Sequence, residues 1–415
     1  MFAEFFDSPI RIQELRDGPG GRLIEGFARE MFHAGYAERT ARRHIRAAEH
    51  LIYWTDQEGT QISSLDERVV EAFALHLNRC RCPGYNSTLS QDLQNSARLF
   101  VGYLRRAGGL ATSIAEPTAQ APVLLVSFCK WMRQQRGTCD STLCNYARDL
   151  RALLNCLGEE PASFEAQSLR KFVLERSQRL GWGAAKRCNS AVRMFLRFLI
   201  ADGKCTIGLD AAIPALRHWR LSSLPRYLQP NEVELVIASC DPATQVGRRD
   251  RAILLLLARM GLRAGDIVQL RLSDVDWEEA WISVSGKGRR QTRLPLTQEI
   301  GNAIASYIKD GQPQSESDAL FLRVRAPFRA FRDHSAVSVL VAQAMRRAGV
   351  TCPSRGAAHV LRHSAASSML RHGASLQEIA AILRHRSIRT TEIYAKVDVI
   401  ALRQIAQSWP EVEPC

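Results

Sequence analysis

The sequence predicts a mainly α-helical protein with one small β-sheet. Apolar residues recur at three- and four-residue spacing along most of the 415 residues, with glycine at the stops. One segment, "WISVSGKGRRQTRLPL", instead alternates apolar and polar residues on either side of a Gly-rich turn, as a hairpin does. The formal net charge is +14, with Lys and Arg spread along the chain, and 46% of residues are hydrophobic. That is enough for two or three cores. A folded protein so basic usually faces a polyanion, most often nucleic acid.

Two breaks divide the chain. "RRAGGLATSIAEPTAQAP", from Arg105 to Pro122, carries Gly, Pro, Ser and Thr without apolar periodicity. "IPALRHWRLSSLPRYLQP", from Ile213 to Pro230, has three prolines and several basic residues. Both read as linkers. They leave a helical module over 1–110, a second over 118–215, and a larger piece over 226–415.

The first two pieces echo each other. "GYAERTARRHIRAAEHL" from Gly35 aligns with "GTCDSTLCNYARDLRAL" from Gly137, matching Thr40 to Thr142, Arg46 to Arg148 and Leu51 to Leu153, with His44 opposite Tyr146. "ARLFVGYLRRAG" from Ala97 aligns with "VRMFLRFLIADG" from Val192, matching Arg98 to Arg193, Phe100 to Phe195 and Gly108 to Gly203. Two matches in the same order suggest a duplicated helical module. Thr40 and Thr142 stand where N-caps are expected. Exposed Arg, Lys and Asn on these helices suit phosphate contact.

The third piece opens with a capped helix from about Pro230. "AILLLLARM" reads as a buried helix, "GLR" as a turn and "AGDIVQL" as a second helix. The hairpin follows, and helices then dominate. In "AHVLRHSAASSML", two histidines and an arginine head a stretch of small apolar residues, as at the mouth of a core helix.

The 11 cysteines are an odd number without a regular framework and read as reduced thiols packed as small apolar residues. Cys80 and Cys82 are close, but no second Cys/His pair has zinc spacing, so no metal is expected. No apolar run approaches membrane length. The N-terminus lacks a signal-peptide pattern. The expected location is the cytoplasm, without a membrane.

Polar residues interrupt the apolar structure of the last piece at ordered places: Arg263 in a turn, Lys287 between two glycines at the hairpin tip, His359 and Arg362 at the helix head, then His385 and Tyr394 in "LRHRSIRTTEIYAKV". In this order they resemble the catalytic motifs of the tyrosine site-specific recombinases, or phage-type integrases. "GLRAGDIVQL", "GKGRRQTRLPL", "HVLRHSAASSML" and "LRHRSIRTTEIYAKV" each resemble one family motif. The resemblance covers about 226–400, and residues 122–213 look like the family's helical core-binding domain. Arg384 departs from it, standing where the family usually has glycine, either as an added phosphate contact or as a mark of changed backbone. Asp266 replaces a usual glutamate.

The resemblance implies a tyrosine-recombinase catalytic domain that cuts and rejoins DNA with no metal or nucleotide cofactor; the alternatives are a type IB-like topoisomerase, with the same chemistry but no synapsis, and a DNA-binding protein without strand exchange. These residue types suit that chemistry. Arg263 and Arg362 can stabilise the phosphorane with fixed guanidinium forks. Tyr394 can hold the DNA as a phosphotyrosine. Lys287 can protonate the departing 5′-oxygen. His359 and His385 can hydrogen-bond phosphate oxygens or assist proton transfer. Asp266, one helical turn from Arg263, can orient that guanidinium. His363 is assigned to structure. Implied partners are double-stranded DNA and three more copies in a tetramer, or related recombinases, at a bacterial nucleoid. The extra module over 1–110 points to a mobile-element enzyme. Leu402, Ile405, Ala406 and Trp409 form one stripe of an expected tail helix that docks on a neighbouring subunit.

Overall fold

Ser8 starts the first helix: its side chain accepts from the Arg11 N–H at 3.4 Å, and Pro9 takes the first helical position. The computed structural model describes residues 1–85, 90–110, 122–216, 224–285, 291–353, 356–397 and 402–403. Five helices make the first module: α1 (Pro9–Asp17), α2 (Gly21–His33), α3 (Glu38–Gln57), α4 (Glu67–Leu77) and α5 (Ser90–Arg106). Asp66 caps α4 by accepting from the Val69 N–H at 2.9 Å. The core joins Phe2, Phe27, Phe73 and Phe100, all at 0% exposure, to aliphatic residues of α2 to α5.

Four helices make the second module: α6 (Val123–Arg136), α7 (Asp140–Leu157), α8 (Ala166–Arg179) and α9 (Trp182–Ala201). Their core is Phe128, Leu150, Leu153, Leu169, Phe195 and Leu199 with their neighbours. The start of the second linker belongs to this module: Ile213 is buried, and Asn189 donates to the Pro214 carbonyl at 3.1 Å.

Element order in the two modules corresponds. α2 to α5 and α6 to α9 follow in the same sequence, each with a short 3-10 turn between its second and third long helices, at Ile62–Ser64 and Pro161–Ser163. The glycines aligned by sequence, Gly35 and Gly137, both have positive φ, 74° and 55°, just before α3 and α7. The aligned threonines are not N-caps. Ala37 and Cys139 hold those positions, and Thr40 and Thr142 lie within the first helical turn. Glu38 and Asp140 open the helices instead, where a carboxylate favours the helix N-terminus.

The C-terminal piece is built round α11. It contains α10 (Pro230–Ala238), α11 (Gln245–Ala258), α12 (Ala264–Gln269), strands β1 (Val275–Asp276), β2 (Trp281–Ser285) and β3 (Gln291–Pro295), then α13 (Gln298–Asp310), α14 (His334–Arg347), α15 (Ala357–Arg371) and α16 (Leu376–Ile382). Ala252 to Leu257 are all fully buried, because the second half of α11 is apolar all round and its neighbours α13, α14 and α15 cover it. The sheet is antiparallel in the order β1-β2-β3, with Ile282 opposite Leu294 and both turned inward. The expected capping of α10 is present, since Glu232 accepts from the Gln229 N–H at 2.7 Å.

The chain divides into two compact units, Met1–Ala111 with Ser223–Cys415, and Thr112–Ser222. Within the first of these, the Phe328 N–H donates to the Ala34 carbonyl at 3.3 Å, and the Phe328 ring lies over Gly35. A Cβ at Gly35 would fall 2.2 Å from that ring. Lys287 and most of the expected tail helix lie outside the described residues.

Candidate active site

The site is assembled on α15. Gly356, at φ 76°, leads into it, and Ala357, Ala358, Leu361, Ala365 and Ala366 are buried along it. These small side chains let the helix sit deep among α10, α11 and α14, which fixes the residues at its head. Arg362 is 4% exposed and donates from its two terminal nitrogens to the carbonyls of Gly261 and Leu383. It thus ties the turn before α12 to the end of α16. Burial, reinforced by Arg263, pulls its pKa down to about 10.

Arg263 precedes α12, and its guanidinium donates to the Arg384 carbonyl at 3.1 Å. Asp266 acts differently from the expectation. Its carboxylate accepts from the Arg263 backbone N–H at 2.8 Å and pairs with the guanidinium of Arg384. It therefore positions Arg263 through the main chain, because Arg384 occupies the carboxylate face. Arg384 itself has φ 54°, the left-handed region that glycine adopts without strain, so the glycine-type backbone is kept with an arginine on it. Its side chain is 8% exposed, and Nε and Nη1 are buried without a hydrogen-bond partner.

His359 and His363 are four residues apart on one face of α15, ring centroids 5.7 Å apart. The Nδ1 of His363 lies 2.8 Å from the Tyr394 hydroxyl. Sequence reading gave His363 a structural part because it adjoins Arg362; the four-residue spacing from His359 was the signal that could have found it. Tyr394 stands in a short 3-10 turn, Glu392–Val397, and is 1% exposed against Ala366, Ile379 and Leu383. Burial raises its pKa to about 12, against a lowering pull from Arg362. His385 Nδ1 meets the hydroxyl of fully buried Thr391 at 2.7 Å, just before that turn.

Burial is the first cause that lowers all three histidine pKa values. For His363 and His385 the result is about 4, and for His359 the direction is the same, with Arg362 adding to each. All three imidazoles are then neutral near pH 7. A neutral ring beside a phenol can accept its hydrogen bond, and takes the proton only as bonding to phosphorus makes the phenol acidic.

A cavity of about 1820 Å³ opens in front of this set. That exceeds the ~300–1,000 Å³ of sites for small ligands. Among the described residues, Arg263, Arg346, Arg384, Arg386, His334, His359 and His385 line it, against a single carboxylate, Asp266, already paired with Arg384. The N-terminus of α15 also faces it through Gly356, Ala357 and Ala358, adding the positive end of a helix dipole. Ser285 and Gln291, the ends of β2 and β3, reach the same cavity. Arg263, His359 and His385 thus share one cavity with Asp266, while Arg362 and Tyr394 lie buried behind its wall.

Comparison with known proteins gives matches over most of the chain. Residues 226–399 match the phage integrase family, and residues 125–203 match the phage integrase N-terminal SAM-like domain. The chain is 34% identical over 412 residues to y4rA of Sinorhizobium fredii, which is named as an integrase/recombinase, covering 98% of each. It is 26% identical over 299 residues to the tyrosine recombinase XerD of Listeria monocytogenes, covering 68% of this chain and 96% of that one. Among solved structures, the XerH site-specific recombinase on its palindromic difH substrate superposes with a TM-score of 0.55 at 17% identity, covering 85% of this chain and 98% of that one. No helix among the described residues is long and apolar enough to cross a membrane.

Proposed function

This chain belongs to the phage integrase family of tyrosine recombinases, enzymes of site-specific DNA strand cleavage and rejoining, and on that premise we propose that Tyr394 is its nucleophile. The Tyr394 oxygen attacks a backbone phosphorus and displaces the 5′-oxygen. The DNA is then held as a 3′-phosphotyrosine, and the reverse attack by a 5′-hydroxyl rejoins a strand. His363, neutral and 2.8 Å away, takes the phenol proton as attack begins. Arg263 and Arg362 stabilise the phosphorane, with His359 and His385 donating to its oxygens. Lys287 protonates the leaving 5′-oxygen. The ends of its hairpin, Ser285 and Gln291, line the cavity, which supports that reach. No metal or nucleotide takes part, because the covalent link conserves the bond energy.

The observation that carries this reading is the cavity itself: four arginines and three histidines around one already paired carboxylate, with Tyr394 immediately behind. The Tyr394 hydroxyl is buried beside His363, so DNA entry shifts the turn 392–397 enough to bring phosphorus to the hydroxyl while His363 stays within reach of its proton. The duplicated modules contact DNA on both sides of the core site, the working form is a tetramer on two sites, and the element served is a mobile one. Residues 1–110 are a second copy of the core-binding module.

The decisive measurement is trapping on nicked candidate sites. Wild-type protein should give a covalent adduct that survives denaturant. Tyr394→Phe should give none while binding the same DNA within about twofold, since one hydroxyl is lost and the phosphate contacts remain. Adducts formed by the Phe variant would overturn the assignment.

A further inference from the structure

The first module brings together four side chains that the recombination chemistry does not use. His50 lies within α3, His76 in the last turn of α4, and Cys80 and Cys82 in the segment that follows. The Nε2 of His50 is 3.4 Å from the Cys80 sulfur, and the Nε2 of His76 is 3.3 Å from the Cys82 sulfur. One donor atom from each of the four residues fits within a mutual spacing of 4.8 Å. A tetrahedral zinc with Zn–S near 2.3 Å and Zn–N near 2.0–2.1 Å separates its donors by about 3.3–3.8 Å.

We propose that His50, His76, Cys80 and Cys82 form a structural zinc site that fastens α3, α4 and the segment 80–85 together. The ligand chemistry selects the ion. Two sulfurs and two imidazoles in a tetrahedron suit Zn²⁺ and exclude the oxygen-seeking Mg²⁺ and Ca²⁺. Charge agrees with burial: two thiolates balance Zn²⁺, and two neutral imidazoles add nothing. A site of zero net charge is what an apolar shell accepts, and the shell here is aromatic. His50, 2% exposed, stacks on Tyr85 at 4.3 Å and meets Phe73 edge-on at 5.1 Å. His76 stacks on Trp54 at 5.3 Å. These contacts fix both rings before any ion arrives. The Cys82 backbone N–H points to the Cys80 sulfur at 3.4 Å, an outer-shell hydrogen bond that favours a thiolate.

Spacing explains why the site is hidden in the sequence. Cys80 and Cys82 are separated by one residue, His76 lies four residues upstream, and His50 comes from another helix. The consequence reaches the module's surface. Arg39, Arg43 and Arg46 of α3 share a groove with His50, Gly84 and Tyr85. The zinc would hold the wall opposite those arginines.

The test starts with metal content. Full-length protein purified under reducing conditions from zinc-supplemented cells should carry one equivalent of zinc by plasma mass spectrometry. Cys82→Ser and Cys80→Ser should lose it, whereas Cys156→Ser, at an exposed thiol, should keep it. Should the serine variants fail to fold, cobalt titration of chelator-stripped wild-type protein decides the matter. Expected are the intense visible bands of a tetrahedral ion and the ultraviolet band of thiolate ligation. Absence of bound zinc together with a weak octahedral cobalt spectrum would overturn the site, as would zinc retained in the Cys80→Ser/Cys82→Ser double variant. Neither measurement depends on DNA, so failure here leaves the recombinase assignment untouched.

Discussion

In the first module Phe27 of α2 meets Phe100 of α5 edge-on, ring centroids 5.2 Å apart; in the second, Phe128 of α6 meets Phe195 of α9 edge-on at 5.5 Å. The polar ties differ. Arg43 of α3 pairs with Asp92 of α5 at 3.1 Å in the first module, the two side chains 49% and 68% exposed. Arg187 of α9 pairs with Asp149 of α7 at 2.9 Å in the second, with the Asp149 side chain 3% exposed. The same two helices are joined with the charges exchanged and the burial changed. Connections differ too. Leu180 and Gly181 alone separate α8 from α9, whereas α4 and α5 are separated by the segment that holds Cys80 and Cys82. Core contacts match because interior volume tolerates little change. Surface pairs and loop lengths are free to diverge, and the first module's longer loop carries two of the four side chains of the proposed zinc site, Cys80 and Cys82.

The sharpest challenge to that correspondence is to remove the matched aromatics. Phe27→Ala and Phe128→Ala are each expected to cost about 3–5 kcal/mol. Both side chains are 0% exposed and occupy the same place in their cores. Native-state hydrogen exchange in the full chain reads each module separately. A cost in one module less than half that in the other would break the equivalence.

Features carried by local sequence were legible. The glycine before α3 and α7, and the Phe100/Phe195 match, stand in register in the sequence and at like positions in the fold. The polar interruptions at Arg263, His359 and His385 were also readable and line one cavity. What was missed required distant partners. The Asp266 carboxylate is claimed by Arg384, 118 residues away, which no spacing argument within α12 can show. His363 meets Tyr394 across 31 residues. Arg384 was noticed as a departure, but its positive φ and its unpartnered Nε and Nη1 needed coordinates. The N-cap expectation for Thr40 and Thr142 failed because the helices begin two residues earlier, on an acid.

The exchanged ion pairs give a second, smaller test. Arg187→Ala leaves the Asp149 carboxylate buried without its partner. It should cost roughly 2–3 kcal/mol, below the usual range for buried pairs because Arg187 is itself 33% exposed. Arg43→Ala removes an exposed pair and should stay within about 0.5 kcal/mol. Comparable costs in the two modules would mean that the difference in burial has no energetic weight.

Acid should separate the modules by the smallest margin. His44 in α3 aligns with Tyr146 in α7, and residues 122–216 contain no histidine. Ser96 donates its hydroxyl proton to the Asp92 carbonyl at 2.7 Å, so at its 2.7 Å contact with His44 it accepts from the Nδ1–H. The ring is 6% exposed. Burial first, then the charge of Arg43, lowers its pKa to about 4, with Asp92 opposing. In the unfolded chain the pKa is near 6.5, so between these values the unfolded state binds more protons. The contribution of neutral His44 is complete above pH 6.5 and is lost as pH falls toward 4. At pH 5.5 the loss is about 1.4 kcal/mol, one pKa unit's worth. Hydrogen exchange measured from pH 6.5 to 5 should therefore show the first module weakening while the second holds, above the range where carboxylates titrate in both. His44→Asn should lower the stability of the first module at pH 7 yet flatten its pH slope in part, since burial lowers the pKa of His50 in the same module as well. An equal slope in both modules, or a slope unchanged in the variant, would remove His44 as the source of the difference.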